Sequence, residues 1–248
     1  MNAKALPVKD NDRHLSERHV TLRNDLVAAS HGLKTLAEQR VVKSCAAKLD
    51  SVRLDEGRYK IKLAAAEYAE TFNLDPDTAY DQLKAVSRSL LDRVIRREEQ
   101  GRRGLKVHLD HWVSGITYHE GEAWVELRFS HEATPYLTAL RGNHTTYLLK
   151  QAAGLRSIYS WRLLEMLMQF KDTGWRQTDV EDFAQAMDAK DSHKKNFAQL
   201  RRWVIEPAVK ELSEKDGWII QWTPIKAGRK VTALRFEFKR DPQGRLDV

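Results

Sequence analysis

Four residues in the second half of the chain have side chains that suit contact with the bases of duplex DNA. A helix is predicted over residues 192–213, and at about 100° per residue the four fall on one side of it, near its start. They are Lys195, Ala198, Gln199 and Arg202. Arginine can form two hydrogen bonds with guanine and glutamine two with adenine, while alanine leaves a gap. We therefore predict a base-reading side. The opposite side is predicted to be core and carries Phe197, Leu200, Val204, Ala208 and Leu212.

Polar and cationic side chains around this side are predicted to contact phosphates, which position a protein on DNA without reading its sequence. On the helix they are Ser192, Lys194, Asn196 and Arg201. The turn of a later predicted hairpin, around Gly228, carries Lys226, Arg229 and Lys230, and such a cationic tip suits the DNA backbone or the minor groove. Two alternatives stay open, because many charged helix faces are simply solvated and charged hairpin tips also discourage pairing between strand edges.

Pro207 lies within the same predicted helix and lacks the N–H that would bond to the carbonyl of Trp203. One interpretation is a kink that separates a DNA-reading front half from a core-packing rear half. The other is a helix that tolerates the proline.

An equivalent helix in the first half of the chain is predicted to begin at Pro76, with Asp75 as its N-cap, and to run to about Arg97. Its outer side carries Lys84 and Arg88 among acidic residues that would repel phosphate. The acidic residues are Asp77, Asp81 and Asp92. We therefore expect weaker DNA contact here, supplemented by basic residues beside a predicted hairpin. These are Arg102, Arg103 and Lys106.

The predicted elements occur twice in the same order: helix, strand, helix, helix, hairpin. In the first half they cover residues 33–49, 59–62, 63–72, 76–97, and 105–118 with 122–129. In the second half they cover residues 157–170, 175–178, 180–187, 192–213, and 218–223 with 231–239. The residues repeat as well, since Leu127-Arg128-Phe129 matches Leu234-Arg235-Phe236, although short apolar patterns also match by chance. The predicted fold is α+β, with two tandem winged-helix domains, each a helix-turn-helix plus a β-hairpin wing, related by an internal pseudo-repeat.

Length and composition agree with two domains and a polyanionic partner. The 248 residues are divided into a disordered arm (1–19), a first domain (20–134), a second domain (135–240) and a tail (241–248). The net charge of +7 favours nucleic acid over membrane. A single cysteine, Cys45, excludes an internal disulfide and a multi-cysteine zinc site, and fits the cytoplasm. The chain has no apolar run of about 18 residues, so no membrane contact is expected.

The sequence gives little indication of an enzymatic activity. Neither a P-loop nor a Gly-x-Gly-x-x-Gly motif is present, so no nucleotide cradle is predicted. A DNA-nicking enzyme would need converging metal ligands, but His108 and His111 would point to opposite faces of a strand. The seven tryptophans are predicted to be core rather than base-stacking residues. We expect no catalytic residues, no metal and no cofactor.

Several stretches resemble those of a known family, in their order and spacing, over nearly the whole chain. They are Asn24-Asp25-Leu26-Val27, residues 35–40, residues 80–94, residues 155–165 with Ser157-Ile158-Tyr159-Ser160, and residues 197–211 followed by Gly228-Arg229-Lys230. Together they resemble the iteron-binding replication initiators of bacterial plasmids.

The resemblance implies binding to short direct repeats, the iterons, at a plasmid origin, opening of the DNA strands, and recruitment of the host initiator and replicative helicase. It also implies a homodimer, formed through the first domain, in equilibrium with the monomer; the dimer would repress the initiator's own gene and the monomer would start replication. The second domain would be the principal DNA reader. A winged-helix transcriptional repressor without an initiator role is the alternative, and a structural nucleoid binder is a third reading.

Overall fold

The computed structural model describes residues 13–49, 60–138 and 143–241. In the first half the helices are α1 (Asn24–Ala28), α2 (Leu36–Lys48), α3 (Ala65–Phe72) and α4 (Pro76–Ser89). The strands are β1 (His19–Arg23), β2 (Lys60–Ala64), β3 (Val94–Gly101), β4 (Gly104–His111), β5 (Val113–His119) and β6 (Trp124–Phe129). Short 3-10 turns cover Leu15–Glu17, Leu90–Asp92 and Thr134–Tyr136.

Part of the predicted N-terminal arm is ordered. Residues 1–12 lie outside the described residues, but Leu15–Glu17 forms a 3-10 turn, Leu15 is buried, and β1 begins at His19. The prediction of disorder is therefore wrong for residues 13–19, because an apolar side chain anchors them to the core. Of the predicted C-terminal tail, residues 242–248 lie outside the described residues.

Helix starts follow from local capping. Thr35 accepts a hydrogen bond from the backbone N–H of Glu38, whose carboxylate accepts one in return from Thr35, a reciprocal capping box that begins α2. Asp75 accepts hydrogen bonds from the backbone N–H groups at the start of α4, with Pro76 in the first turn. The predicted cap of α4 is confirmed.

The predicted end of α4 is wrong. The helix stops at Ser89, and Val94–Gly101 forms β3, which pairs antiparallel with β4 and buries Ile95. The predicted strand 105–118 is accordingly two strands, separated at the buried Trp112. Only its second part, β5, pairs with β6 to form the predicted wing hairpin, and β2 completes that sheet in the order β2-β6-β5.

The second half repeats the arrangement. Its elements are β7 (His144–Leu148), α5 (Lys150–Ala153), α6 (Ile158–Met168), β8 (Trp175–Asp179), α7 (Val180–Ala186), α8 (Asp191–Lys194), α9 (Phe197–Leu200), α10 (Glu206–Lys215), β9 (Trp218–Ala227) and β10 (Lys230–Arg240). The strands β8, β10 and β9 form one antiparallel sheet in that order. Helix, strand, helices and a terminal hairpin thus occur twice, as two tandem winged-helix domains.

The long helix predicted over residues 192–213 is interrupted. Helix α8 ends at Lys194, and the side chain of Asn196 then accepts hydrogen bonds from the backbone N–H groups of Ala198 and Gln199, which starts α9 anew. Asparagine favours such caps over helix interiors because its side chain competes for backbone hydrogen bonds. From Phe197 onward the helical path is continuous, but it widens to a π-turn over Arg201–Ile205, just before Pro207. The distortion therefore lies at the turn before the proline.

Buried contacts join the two halves. Strand β1 pairs with β7, so hydrogen bonds cross the predicted division at residue 134, which stays a prediction. Arg162 of α6 is completely buried and donates hydrogen bonds to the carbonyls of Val27, Ala29 and Ala186. The carboxylate of Asp188, after α7, accepts hydrogen bonds from the N-terminal half. Its donors are the Ser30 hydroxyl and the backbone N–H groups of His31 and Gly32.

Candidate nucleic-acid interface

The side predicted to read bases points outward along α9 and the π-turn that follows it. Ala198, Gln199 and Arg202 are exposed, whereas Leu200 and Val204 are completely buried. Of the remaining predicted core residues, Ala208 and Leu212 are buried and Phe197 is half-buried. The helical wheel therefore assigns inner and outer sides correctly, although whether the outer side contacts DNA stays a prediction.

Lys195 does not lie on the same helix as the other three residues. It is exposed and caps the C-terminus of α8, and Asn196 separates it from α9. The structure thus brings Ala198, Gln199 and Arg202 together on one continuous surface, with Lys195 on the connection that leads into it. The interruption at Asn196 is the reason, because it divides the continuous helix that the apolar spacing predicts.

Trp203 lies among the predicted base-reading residues. It is 51% exposed, its indole N–H donates to Oε1 of Gln199 at 2.8 Å, and the Arg202 guanidinium lies 5.1 Å from its ring centroid. Trp175 is also exposed, at 45%, and Arg235 lies over it. The expectation that every tryptophan is core is therefore wrong for these two residues. A helical spacing of four residues between positions 199 and 203 was the signal that could have identified the contact.

The residues predicted to contact phosphate are exposed, but some have partners within the protein. Ser192 and Lys194 lie exposed on α8. The Asn196 oxygen is engaged as the cap of α9, which leaves its amide N–H groups to donate. Arg201 donates from Nε to Glu206 at 2.7 Å, so its charge is partly compensated.

The second wing has an exposed cationic tip. Lys226, Arg229 and Lys230 are exposed at the turn between β9 and β10, where Gly228 adopts a left-handed φ of 62°. Glycine adopts that conformation without strain, whereas most L side chains avoid it. Lys230 lies 3.8 Å from the exposed Glu181, and no described residue forms an ion pair with the other two cations. In the described structure Lys226 and Arg229 are the freest cations of this tip.

The corresponding surface of the first domain is partly neutralised by its own wing. Lys84 of α4 contacts Glu120, at the tip of the β5–β6 hairpin, at 2.6 Å. A hydrogen bond and the charge of each partner raise the pKa of Lys84 and lower that of Glu120. Arg88 is exposed nearby on the helix. Sequence reasoning missed Glu120 because the ion pair joins elements 36 residues apart. The contact favours weaker DNA contact here, which stays a prediction.

Arg102 and Arg103 do not flank this wing. They form the turn between β3 and β4, a separate two-stranded sheet, and Lys106 lies beside them on β4, 3.7 Å from Glu99. The prediction that these cations lie beside the first wing is wrong, because residues 94–101 form a strand of their own sheet rather than the end of α4.

The described residues contain neither a metal-binding cluster nor a membrane-spanning helix. Within residues 13–49, 60–138 and 143–241, no group of three or more His, Cys, Asp or Glu side chains is arranged to hold a metal ion. In the same residues, no helix is both long enough and apolar enough to cross a membrane.

Comparison with known proteins relates this architecture to a family. A family model described as initiator replication protein, WH1, matches residues 19–168, and one described as initiator Rep protein, WH2, matches residues 179–238. An uncharacterized 27.6 kDa protein of Escherichia coli is 26% identical over 180 residues, which are 71% of this chain and 72% of that protein. A replication initiation protein of Escherichia coli is 24% identical over 237 residues, 92% of this chain and 72% of that protein.

The fold has a counterpart among solved structures. The structure of the Pi initiator protein in complex with iteron DNA matches with a TM-score of 0.74 and 23% identity, covering 92% of this chain and 99% of that one. The two family models account for most of the sequence, in the order in which the two winged-helix domains occur. The chain therefore belongs to the initiator replication protein family.

Proposed function

We propose that this protein is a cytoplasmic plasmid replication initiator, which binds direct-repeat iterons at its origin as a sequence-specific reader of duplex DNA. The observation that carries the proposal is the outer side of α9 and of the π-turn that follows it, where Ala198, Gln199 and Arg202 are exposed above a buried aliphatic side. In a helix-turn-helix, the last helix is the one that enters the major groove. The proposal assigns no covalent chemistry to the protein: it binds DNA, promotes origin opening, and recruits the host initiator and replicative helicase.

Two further features support this proposal. The cationic tip of the second wing extends from the same domain as α9, which suits phosphate contact beside the groove. The Pi initiator protein, which shares the fold, was solved in complex with iteron DNA. Family membership makes the same mode of binding the first hypothesis for this chain.

Footprinting on the DNA that flanks the protein's own gene tests the proposal. We expect protection of tandem direct repeats beside an AT-rich segment, and permanganate-reactive thymines in that segment when the template is supercoiled. Protection of a lone inverted repeat would instead favour a transcriptional repressor. Equal affinity for specific and random duplexes would indicate a structural nucleoid binder and contradict the proposal.

We also propose that the protein forms a homodimer through β4 and that the dimer represses its own gene. Strand β4 forms a two-stranded sheet with β3, and its other edge is unpaired in the described structure. Its outer face carries exposed apolar side chains. They are Leu105 at 55%, Val107 at 44% and Leu109 at 63% exposure. An exposed apolar strand edge is a template for pairing with another chain, and a twofold axis lets two copies of one edge pair with each other.

A charge placed on this edge tests the dimer. Leu109→Lys should shift the protein toward monomer in sedimentation equilibrium and relieve repression of a reporter fused to its promoter, since a like charge would be introduced on both copies. Ile219→Lys, on an exposed position of β9 at 40% exposure, is the matched control. An unchanged dimer population in the Leu109 variant would exclude β4 as the interface.

A further inference from the structure

The hydrogen bond between Trp203 and Gln199 determines which way the glutamine amide faces. The indole nitrogen of Trp203 lies 2.8 Å from Oε1 of Gln199. Indole can only donate a hydrogen bond, so the amide atom that it meets must be the oxygen. The NH2 group of Gln199 is therefore directed away from the indole ring. Both side chains are exposed, so the contact lies at the protein surface.

Such a fixed orientation changes what Gln199 can read. A free glutamine pairs with adenine because it offers an acceptor for the adenine N6 amino group and a donor for N7. The indole N–H occupies one of the two lone pairs of that oxygen and turns the oxygen toward Trp203, so the NH2 donors are the part of the amide that points away from the ring. Guanine presents two acceptors in the major groove, O6 and N7, and no donor. The arrangement therefore favours guanine over adenine, contrary to what the residue type alone suggests.

The neighbouring Arg202 reinforces the position of the indole. Its guanidinium lies 5.1 Å from the centroid of the Trp203 ring, a distance at which cation–π attraction acts. The indole is thus in contact with two of the residues predicted to read bases. It lies on the π-turn that follows α9, where its side chain is exposed.

We propose that Trp203 is a positioning residue for sequence recognition: it holds Gln199 as a hydrogen-bond donor, so that position 199 selects guanine. The inference rests on the proposed function, because it requires the outer side of α9 to face bases.

Selection from a library of random duplexes, followed by sequencing, tests the proposal with the full-length protein and three variants. The variants are Trp203→Phe, Gln199→Ala and the double variant. The wild-type chain should select guanine at one base pair where Gln199→Ala shows no preference. Trp203→Phe keeps an aromatic ring but loses the donor, so at this base pair the ratio of adenine to guanine should rise by about fivefold or more. The other base pairs should be unaffected.

The double variant separates positioning from direct contact. If Trp203 acts through Gln199, adding Trp203→Phe to Gln199→Ala should leave base preferences unchanged. The same shift in both backgrounds would mean that the indole itself touches DNA and would overturn the proposal, as would a Trp203→Phe variant with wild-type preferences. Trp175→Phe, at the other exposed tryptophan, is the control and should select like the wild type. A wild-type chain that enriches no sequence would overturn the proposed function itself.

Discussion

At the residue scale, Arg162 is a completely buried cation whose nitrogens are all engaged. Nε and Nη2 donate to backbone carbonyls, and Nη1 lies 2.7 Å from Glu165 and 2.8 Å from Nε2 of His31. Glu165 also contacts Lys43 at 2.8 Å, and burial lowers the pKa of that lysine to about 8. Removing one member of such a group would leave an uncompensated buried charge, which costs about 3–5 kcal/mol.

His31 should make the free energy of unfolding depend on pH. Burial and the charges of Arg162 and Lys43 hold its pKa well below the usual value. The unfolded chain takes up a proton near pH 6.5, while the folded chain does not, so the free energy of unfolding should fall as the pH drops below about 6.5. The slope contributed is at most about 1.4 kcal/mol per pH unit.

Urea unfolding at pH 7, 6 and 5 measures this effect. His31→Gln should unfold with a shallower pH dependence than the wild type over that range, whatever its overall stability. The exposed His131→Gln is the control and should keep the wild-type slope. If the free energy of unfolding depends on pH equally in the wild type and in His31→Gln, His31 is not the source of the pH dependence.

A further prediction at the residue scale concerns Arg202. Arg202→Ala should cost about 1–3 kcal/mol of binding to the selected site and relax specificity at one base pair, if its guanidinium pairs with a base. Competition binding with single-base variants of the site measures both quantities. Lys210→Ala, an exposed cation of α10, should change neither. A uniform loss on every sequence would place Arg202 on the phosphates.

Side-chain orientation on α9 could be predicted from the sequence, because an amphipathic helix repeats every 3.6 residues. The partners of those side chains could not. The residue type alone favours the core for Trp203, and Lys84 looks free in the sequence because Glu120 reaches it only through the folded hairpin. Pairing across elements depends on tertiary structure, which periodicity does not encode.

At the element scale, the start of α4 was predicted and its end was not. Asp75 caps α4 through contacts within three residues, so the signal is local. Thr35 caps α2 in the same local way, although the predicted helix began at residue 33. The change from α4 to β3 depends instead on pairing with β4 and on the burial of Ile95. Tertiary contacts override weak helix propensity in such a segment. The break before α9 did have a local signal in the sequence, namely Asn196, whose side chain caps the helix.

The second wing permits a prediction from electrostatics. Replacing Lys226 and Arg229 by alanine should weaken binding to all duplexes. The slope of log affinity against log salt concentration should become shallower by about 1.8, because each phosphate that is no longer neutralised contributes about 0.9. Titrations between low and moderate salt measure the slope. A double control at the exposed Lys171 and Lys210 should keep the wild-type slope. An unchanged slope in the wing variant would show that the tip does not touch the backbone.

At the scale of the whole molecule, Asp188 connects the two halves. It has a left-handed φ of 49°, and its carboxylate lies 2.8 Å from the N–H of His31 and 3.0 Å from that of Gly32. Asp188→Asn keeps a residue that tolerates this backbone conformation but removes the charge and one acceptor. We expect it to lower the free energy of unfolding by about 1–3 kcal/mol.

Limited proteolysis and urea unfolding together test this connection. The Asp188→Asn variant should be cleaved faster between the halves, and its unfolding transition should broaden if they separate. Asp172→Asn, at an exposed turn, is the control and should behave as wild type. If both variants match the wild type, the hydrogen bonds of Asp188 contribute no stability.

The tandem order was predictable because the sequence repeats itself, but nothing in the repeat indicates how its copies meet. The burial of Arg162 against the carbonyls of Val27 and Ala29 has a consequence for chimeric proteins. In a chimera of a relative's N-terminal half and this chain's C-terminal half, Arg162 would face backbone carbonyls from a different protein. Their positions need not match the hydrogen bonds that Arg162 makes here. We therefore expect such a chimera to be less stable than either parent, unless the contacts on both sides of this interface are transferred together.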